Sequence, residues 1–286
     1  MLDTRTLLAR MVQVVEEDGF KAHAIEVSTR HGTARRCWGA DVRRDVHSAA
    51  KGVCVLAAGI ACDEGLFDPD APVAHYLPDL ASGPGVGSVT TRHLLGMISG
   101  IDLPWSGTMM TDWPDLAAEF LRRPSRGRTF QYSNASTYTA MRALSSVVGD
   151  VHAWLTPRLF APLGIEAPNW DRCPNGHVLA GEGLHLSIGE FSRIGQLIHA
   201  RGAWRNRQLV SPRWIEALHS DWHVRVADPG YTHYALAGWG GPGTAWRLHG
   251  AHGQMLLFHR DAVIAVMADD HLRADRTAAH LIQVLD

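Results

Sequence analysis

Lysine is nearly absent from this chain. Of 27 basic side chains, 25 are arginine and only two, Lys21 and Lys51, are lysine, so chemistry that needs a primary amine has two possible addresses. Charge of one sign is not in excess either. The 27 basic residues face 29 acidic ones for a net charge of −2, which withholds the concentrated basic surface that nucleic-acid binding needs. No nucleic-acid partner is expected. Long apolar runs are missing as well: the longest, Val53 to Cys62, is about half of what a bilayer crossing takes. No membrane partner is expected. The opening stretch, with Asp3, Glu16 and Glu17 and no long apolar segment, argues against a secretory signal peptide and points to a cytoplasmic protein. Four cysteines, Cys37, Cys54, Cys62 and Cys173, contain no C-x-x-C pair and build no disulfide scaffold, so they read as reduced, mostly buried thiols.

Histidine, by contrast, is plentiful. Its 17 copies make the charge sensitive to pH between about 5 and 8, and their scatter defines no site by itself. Hydrophobic residues at 46% and charged ones at 20% allow a full core and exclude a disordered or fibrous chain. A length of 286 residues admits one domain or two.

Leu7, Leu8, Met11, Val12 and Val15 recur at helical spacing, with Asp3 or Thr4 as cap and Gly19 as stop. Two β-favouring runs follow, Ala22 to Thr29 and Thr33 to Ala40, joined by Arg30, His31 and Gly32 as a hairpin. Near the other end Trp246 to Gly250, Gln254 to His259 and Ala262 to Ala268 read as three strands, Asp261 lies in a tight turn, and a helix spans roughly Leu272 to Val284. Between about Ser48 and Trp222 helical periodicity dominates, broken by Pro and Gly. One antiparallel sheet built from both ends of the chain, backed by the terminal helices, with the helical middle as a second lobe, is the simplest architecture for this order.

Ser48 and Lys51 form a Ser-x-x-Lys pair at the head of the buried apolar run. Three apart on a helix, they share a face, so hydroxyl and amine can meet. A backbone N–H at a helix start is unpaired and points the positive end of the dipole at whatever the serine attacks. Nucleophile, base candidate and half of an oxyanion hole are thus in one segment, provided that burial lets the amine lose its proton. Chance gives roughly 0.1 such pairs for 15 serines and two lysines in 286 positions. The bland reading is a surface lysine one turn from a capping serine.

Tyr132-Ser133-Asn134 opens another helical stretch. A phenol beside a lysine and a serine can relay the nucleophile's proton, and an Asn amide can both accept from and donate to a substrate amide. Alone, a core tyrosine with a capping Asn looks the same. His249-Gly250-Ala251-His252-Gly253-Gln254 falls between two expected strands. Its glycines let a strand edge approach a ligand, and the Ala251 N–H is the candidate second oxyanion donor. By itself this segment is a glycine-rich turn. His252 is a candidate substrate contact beside it, and His47, just before the serine, would raise local positive potential.

Ser48-x-x-Lys51, Tyr132-x-Asn134 and the Gly250 strand, in this order, resemble the class C β-lactamase-like serine hydrolases, related to penicillin-binding proteins and esterases. Asp63 to Asp68, Val73 to Pro78, Thr91 to Leu95 leading to Ser99-Gly100-Ile101, Pro162 to Ile165, and Gly183 to Ser187 running to Leu197 continue the resemblance over nearly the whole chain. The resemblance implies an α/β (α+β) fold with a five-stranded antiparallel sheet flanked by N- and C-terminal helices, plus an all-helical lobe. It would be a single domain over 1–286, with the sheet lobe from about 1–47 and 223–286 and the helical lobe from about 48–222. It also implies acyl transfer on Ser48, with Lys51 and Tyr132 sharing the proton work. Asn134, His249, Gly250 and His252 would meet the substrate, and the N–H groups of Ser48 and Ala251 would bind the oxyanion.

No cofactor and no metal is implied. His219, His223 and His233 invite a metal test, but no His-Glu-x-x-His and no tight ligand cluster accompanies them. The expected partner is a small ester, amide or β-lactam.

Two departures bear on substrate. In the family the third motif usually begins with a cation, whereas anchoring on Gly250 puts Leu248 in that place; a register shifted by one would put His249 there. The Gly250 register is preferred, which lowers the expectation of penicillinase activity relative to ester or amide hydrolysis. The chain is also compact, which suggests an open cleft walled by Asp102, Trp105, Asp112 and Trp113. A cytoplasmic setting removes peptidoglycan as the natural substrate. A catalytically idle, ligand-binding homologue is the alternative, motivated by the lost cation. Gly96 to Gly100 does not form a Gly-x-Ser-x-Gly elbow, which disfavours an α/β-hydrolase.

Overall fold

A computed structural model describes residues 3–103, 115–228, 231–241 and 244–285. Trp105, Asp112 and Trp113 lie outside the described residues. Thirteen strands occur among them: β1 (Ala22–Thr29), β2 (Gly32–Cys37), β3 (Arg44–Asp45), β4 (Asn169–Trp170), β5 (Leu184–Leu186), β6 (Ala203–Trp204), β7 (Arg207–Gln208), β8 (His223–Asp228), β9 (Tyr231–Tyr234), β10 (Trp239–Gly240), β11 (Trp246–Gly250), β12 (Gln254–His259) and β13 (Ala262–Ala268).

The first helix, Thr4–Glu17, starts where Asp3 accepts the N–H groups of Arg5 and Thr6 at 3.0 and 3.1 Å. Asp18 ends it, and Gly19 follows at φ +60°, a backbone that glycine takes without strain. Leu7, Met11 and Val15 are its buried stripe, four apart on one face. Together with Leu281 of the last helix, Ala274–Gln283, they cover Met255, Leu257, Ile264 and Val266 on one face of the sheet.

That sheet runs β2-β1-β13-β12-β11-β10-β9-β8 with antiparallel pairs throughout. Both ends of the chain build it: β1, with β2 on its outer side, pairs with β13. Its eight strands exceed the five expected, because β8, β9 and β10 extend it beyond β11. β10 has two residues and β9 four, lengths at which alternation carries little signal. The central strands β12 and β13 are buried along their whole length on both faces, and they read as near-continuous apolar runs for that reason.

On the other face Leu256, Val263, Ala265 and Met267 join a large core with the helix Ala50–Asp63. From Ala50 to Ala61 this helix is buried throughout, as expected for a segment apolar on every side. The middle of the chain is not all-helical. β3, β5 and β4 form a three-stranded sheet, and β6 and β7 form a hairpin. Strands of two or three residues leave no period-two pattern to read. Among the described residues no helix is long and apolar enough to cross a membrane.

Candidate active site

Ser48 sits in a single 3-10 turn, His47–Ala49, that runs directly into the helix Ala50–Asp63. Lys51 follows one turn later and is 2% exposed. Its Nζ donates to Ser48 Oγ at 2.9 Å, to Asn134 Oδ1 at 2.6 Å and to the Gly181 carbonyl at 2.9 Å, and it lies 4.9 Å from the centroid of the Tyr132 ring. An ammonium has three N–H bonds, and all three are directed here. Four residues expected from motif spacing, Ser48, Lys51, Tyr132 and Asn134, therefore meet around one nitrogen.

Gly181 was not legible as part of this group. A Cβ at this position would lie 2.9 Å from Asn134 Oδ1 and 3.1 Å from Lys51 Nζ, so only the bare backbone lets the carbonyl reach the amine. Ala180 before it takes φ +63° and accepts the thiol of Cys54 at 3.3 Å. Burial pushes the Cys54 thiol up to about 12, which keeps it protonated and inert beside the site. The signal in sequence was the pair Gly181 and Gly183 ahead of β5, and nothing in it named a partner.

Tyr132 is placed by Met97, whose carbonyl accepts the Gln131 N–H at 2.8 Å and whose Sδ accepts the Ser133 N–H at 3.4 Å. Its ring packs edge-on to Tyr234 at 5.8 Å and tilted against Trp239 at 5.4 Å, and Phe130 lies 5.6 Å from Tyr234. Tyr234 is fully buried, and burial first, then Tyr132, raises its phenol well above the ordinary tyrosine value. This aromatic wall comes from β9 and β10, strands too short to leave a pattern in the sequence. Asp102, proposed as a cleft wall, accepts from Gln131 Nε2 at 3.1 Å, next to Tyr132.

Gly250 brings the end of β11 against the Ser48 turn. A Cβ there would stand 2.2 Å from the Val46 carbonyl oxygen and 3.1 Å from His47 Cβ. Its role is this close approach, and Ala251 follows at the start of a short turn, Ala251–Gly253. Leu248 is 1% exposed and turns to the same side. A Cβ on Gly52 would sit 2.4 Å from Leu248 Cδ1, so Leu248 fills the space beside the helix that carries Lys51.

His249 must be corrected. Side chains alternate across a strand, and its register partner Met255 belongs to the core under the terminal helices, whereas Leu248 pairs with Leu256 of the opposite core. His249 thus faces away from Ser48, toward the side of Arg247 and Asp275. Burial first, then Arg247 and His271, lowers its basicity well below the usual histidine value. Neither register of the third motif supplies a cation at this position.

His47 and His252 come together at the rim. Their ring centroids are 5.1 Å apart, and both residues take left-handed backbone, φ +49° and +60°, which costs a non-glycine residue about 1 to 3 kcal/mol. His47 Nδ1 lies 3.1 Å from Asp45 Oδ2, and Asp45 Oδ1 accepts the His47 and Gly183 N–H groups at 2.7 and 2.8 Å. His252 Nδ1 lies 3.4 Å from Asp269 Oδ1. Among the described residues, no group of three or more His, Cys, Asp or Glu is placed to hold a metal. His219 stacks on Trp246 at 4.5 Å, and His233 packs edge-on to Trp222 at 6.4 Å.

A sheet assembled from both chain ends, with the helix that follows Ser48 packed on its face, defines a class, and comparison with known proteins agrees. A β-lactamase family model matches residues 20–283. The chain belongs to the β-lactamase family of serine hydrolases. A 6-aminohexanoate-dimer hydrolase of Paenarthrobacter ureafaciens is 25% identical over 225 residues, 67% of this chain and 55% of the relative. The chain thus spans about half the length of that relative. A penicillin-binding protein homologue from Caulobacter crescentus superposes with a TM-score of 0.76 at 15% identity, covering 98% of this chain and 96% of the other. The octameric penicillin-binding protein homologue from Pyrococcus abyssi gives 0.76 at 16% identity, covering 99% and 77%. At such identities the likeness is one of fold.

Proposed function

We propose that the chain hydrolyses an ester or amide through an acyl-enzyme on Ser48. The Ser48 oxygen attacks the carbonyl carbon while its proton passes to the Lys51 and Tyr132 pair. The tetrahedral oxyanion points to the N–H groups of Ser48 and Ala251. Collapse breaks the bond to the leaving alcohol or amine, which takes the proton. Water then attacks the acyl carbon, loses a proton to the same pair and releases the acid, and Ser48 regains its proton. Asn134, already held by Lys51, orients the bond that is cleaved.

The observation that carries this reading is the buried Lys51 amine 2.9 Å from Ser48 Oγ. A chain that otherwise uses arginine places one of its two lysines here, an amine that can lose its proton where a guanidinium cannot. Leu248 in the first place of the third motif, buried against Gly52, supports esters and amides over β-lactams, because no cation stands there for a β-lactam carboxylate. The relative's name supports a place for 6-aminohexanoate oligomers in the substrate panel.

The test is mass spectrometry after a fluorophosphonate, with rates for p-nitrophenyl butyrate, nitrocefin, 6-aminohexanoate dimer and a D-amino-acid amide. One adduct on Ser48, and turnover abolished in Ser48→Ala, are expected. A folded protein with no adduct, or a Ser48→Ala variant that turns over as before, rejects the reading.

A further inference from the structure

The peptide N–H of Ser48 lies between His47 and Ser48, and that of Ala251 lies just before His252. The two residues flanking the proposed oxyanion donors are therefore the two histidines whose rings meet, 5.1 Å apart and tilted by 43°. Each ring is backed by a carboxylate of its own, His47 by Asp45 at 3.1 Å and His252 by Asp269 at 3.4 Å. Each backbone is held left-handed, at φ +49° and +60°. Neither is glycine, although glycine adopts that conformation freely. Strain of this kind persists only where the surroundings over-determine it.

Those surroundings are visible. Asp45 fixes the His47 N–H at 2.7 Å, and the His252 carbonyl accepts the Asp270 N–H at 3.0 Å. Gly250 lets the strand come close enough for the rings to touch, since a Cβ there would be 3.1 Å from His47 Cβ. The groups acting on His47 are Asp45 beside it, Glu182 and His185 from the β5 segment, and His252 across the gap. Burial is the largest effect and lowers its basicity, so two rings can stack without repulsion between two cations.

We infer that the His47–His252 contact is a positioning device that fixes the spacing between the Ser48 and Ala251 N–H groups, and thereby the shape of the oxyanion hole. This rests on the acyl-enzyme reading above. Neither ring needs to touch substrate. The contact ties a turn from the start of the chain to a strand end from its close, the two segments whose separation sets where the oxyanion can sit. Displacing one donor from its place weakens only what forms in the transition state.

The test uses His47→Asn, His252→Asn and the double variant in the full chain. Asn tolerates left-handed backbone better than most residues, so the ring is removed and the backbone kept. Each single variant should lower kcat for p-nitrophenyl butyrate about tenfold with KM within about twofold. Affinity for an alkyl boronic acid, which forms a tetrahedral adduct on the serine, should fall in step with kcat. The double variant should lose about as much as one single variant, because the contact is broken only once. Single variants with kcat within twofold of the parent, effects that multiply in the double variant, or losses confined to KM each overturn the inference. The His252 side chain is 52% exposed, so His252→Asn tests the contact even if His47→Asn does not fold. Ser48→Ala separates the two readings. If it is inactive while both histidine variants match the parent, the positioning role fails and the acyl-enzyme stands; if it is active, the acyl-enzyme fails.

Discussion

Gly181→Ala adds one methyl group at the point where the site is tightest. The new Cβ would stand 2.9 Å from Asn134 Oδ1, 3.1 Å from Asn134 Cγ and 3.1 Å from Lys51 Nζ, a few tenths of an ångström inside ordinary contact. The neighbours cannot yield freely, because Asn134 and Lys51 are bound to each other at 2.6 Å and Lys51 is also bound to Ser48 at 2.9 Å. Overpacking of this sort costs about 1 to 3 kcal/mol. That lowers Tm by at least about 2 °C in a chain of this size. The larger effect falls on chemistry. A shift of about 1 Å in a reacting group costs about 10²-fold, so a displaced amine should lower kcat about 10- to 10²-fold. The rate of Ser48 labelling by a fluorophosphonate should fall with it. Thermal melting, ester turnover and labelling rate measure the three quantities independently. Labelling and kcat within twofold of the parent would falsify the claim that the Gly181 carbonyl and the Lys51 amine form one rigid unit.

Lys51→Arg keeps the charge but not an amine that can deprotonate, and kcat for p-nitrophenyl butyrate should drop by about 10² to 10⁴; parental turnover would remove Lys51 from the proton path. Gly250→Ala places a Cβ 2.2 Å from the Val46 carbonyl oxygen, so β11 must retreat from the Ser48 turn, and activity and melting temperature should both fall, read by turnover and calorimetry. Leu248→Lys should destabilise by about 3 kcal/mol or more without creating nitrocefin hydrolysis, since the new cation is buried unpaired against Gly52; a gain of nitrocefin turnover would contradict the placement. His249, whose basicity burial and Arg247 depress, stays neutral when folded and protonates when unfolded. Its contribution is complete above the unfolded value near 6.5 and is lost as pH falls below it, at up to about 1.4 kcal/mol per pH unit. Denaturant unfolding between pH 7.5 and 5 should show this slope, reduced in His249→Gln.

β1, β12 and β13 were legible because they are long and rich in apolar residues, and β11 because Trp246 and Leu248 alternate with Arg247 and His249. β9 and β10 were not, and the wall around Tyr132 went with them, because their role depends on neighbours the local sequence does not name. Ser48, Lys51, Tyr132 and Asn134 could be found because each carries a side chain suited to chemistry at recognisable spacing. Gly181 contributes a carbonyl, which every residue has, so it leaves no mark of its own. His249 was misplaced for a geometric reason: a residue next to a motif glycine on a strand has an even chance of facing either side, and only the partner across the ladder decides which.

The pairing of β1 with β13 has a consequence for how the protein is made. Thr29 lies opposite Ala262, so β1 has no partner on this side until β13 has been made, and a long loop must close before any contact there can stabilise it. The helix carrying Lys51 is synthesised before β13 but lacks that part of the sheet to bury its apolar sides until then. During synthesis its exposed surface is a target for chaperones and for aggregation. A chain cut short before β13 should be unable to label on Ser48, so labelling waits for a strand far along the sequence from the serine itself.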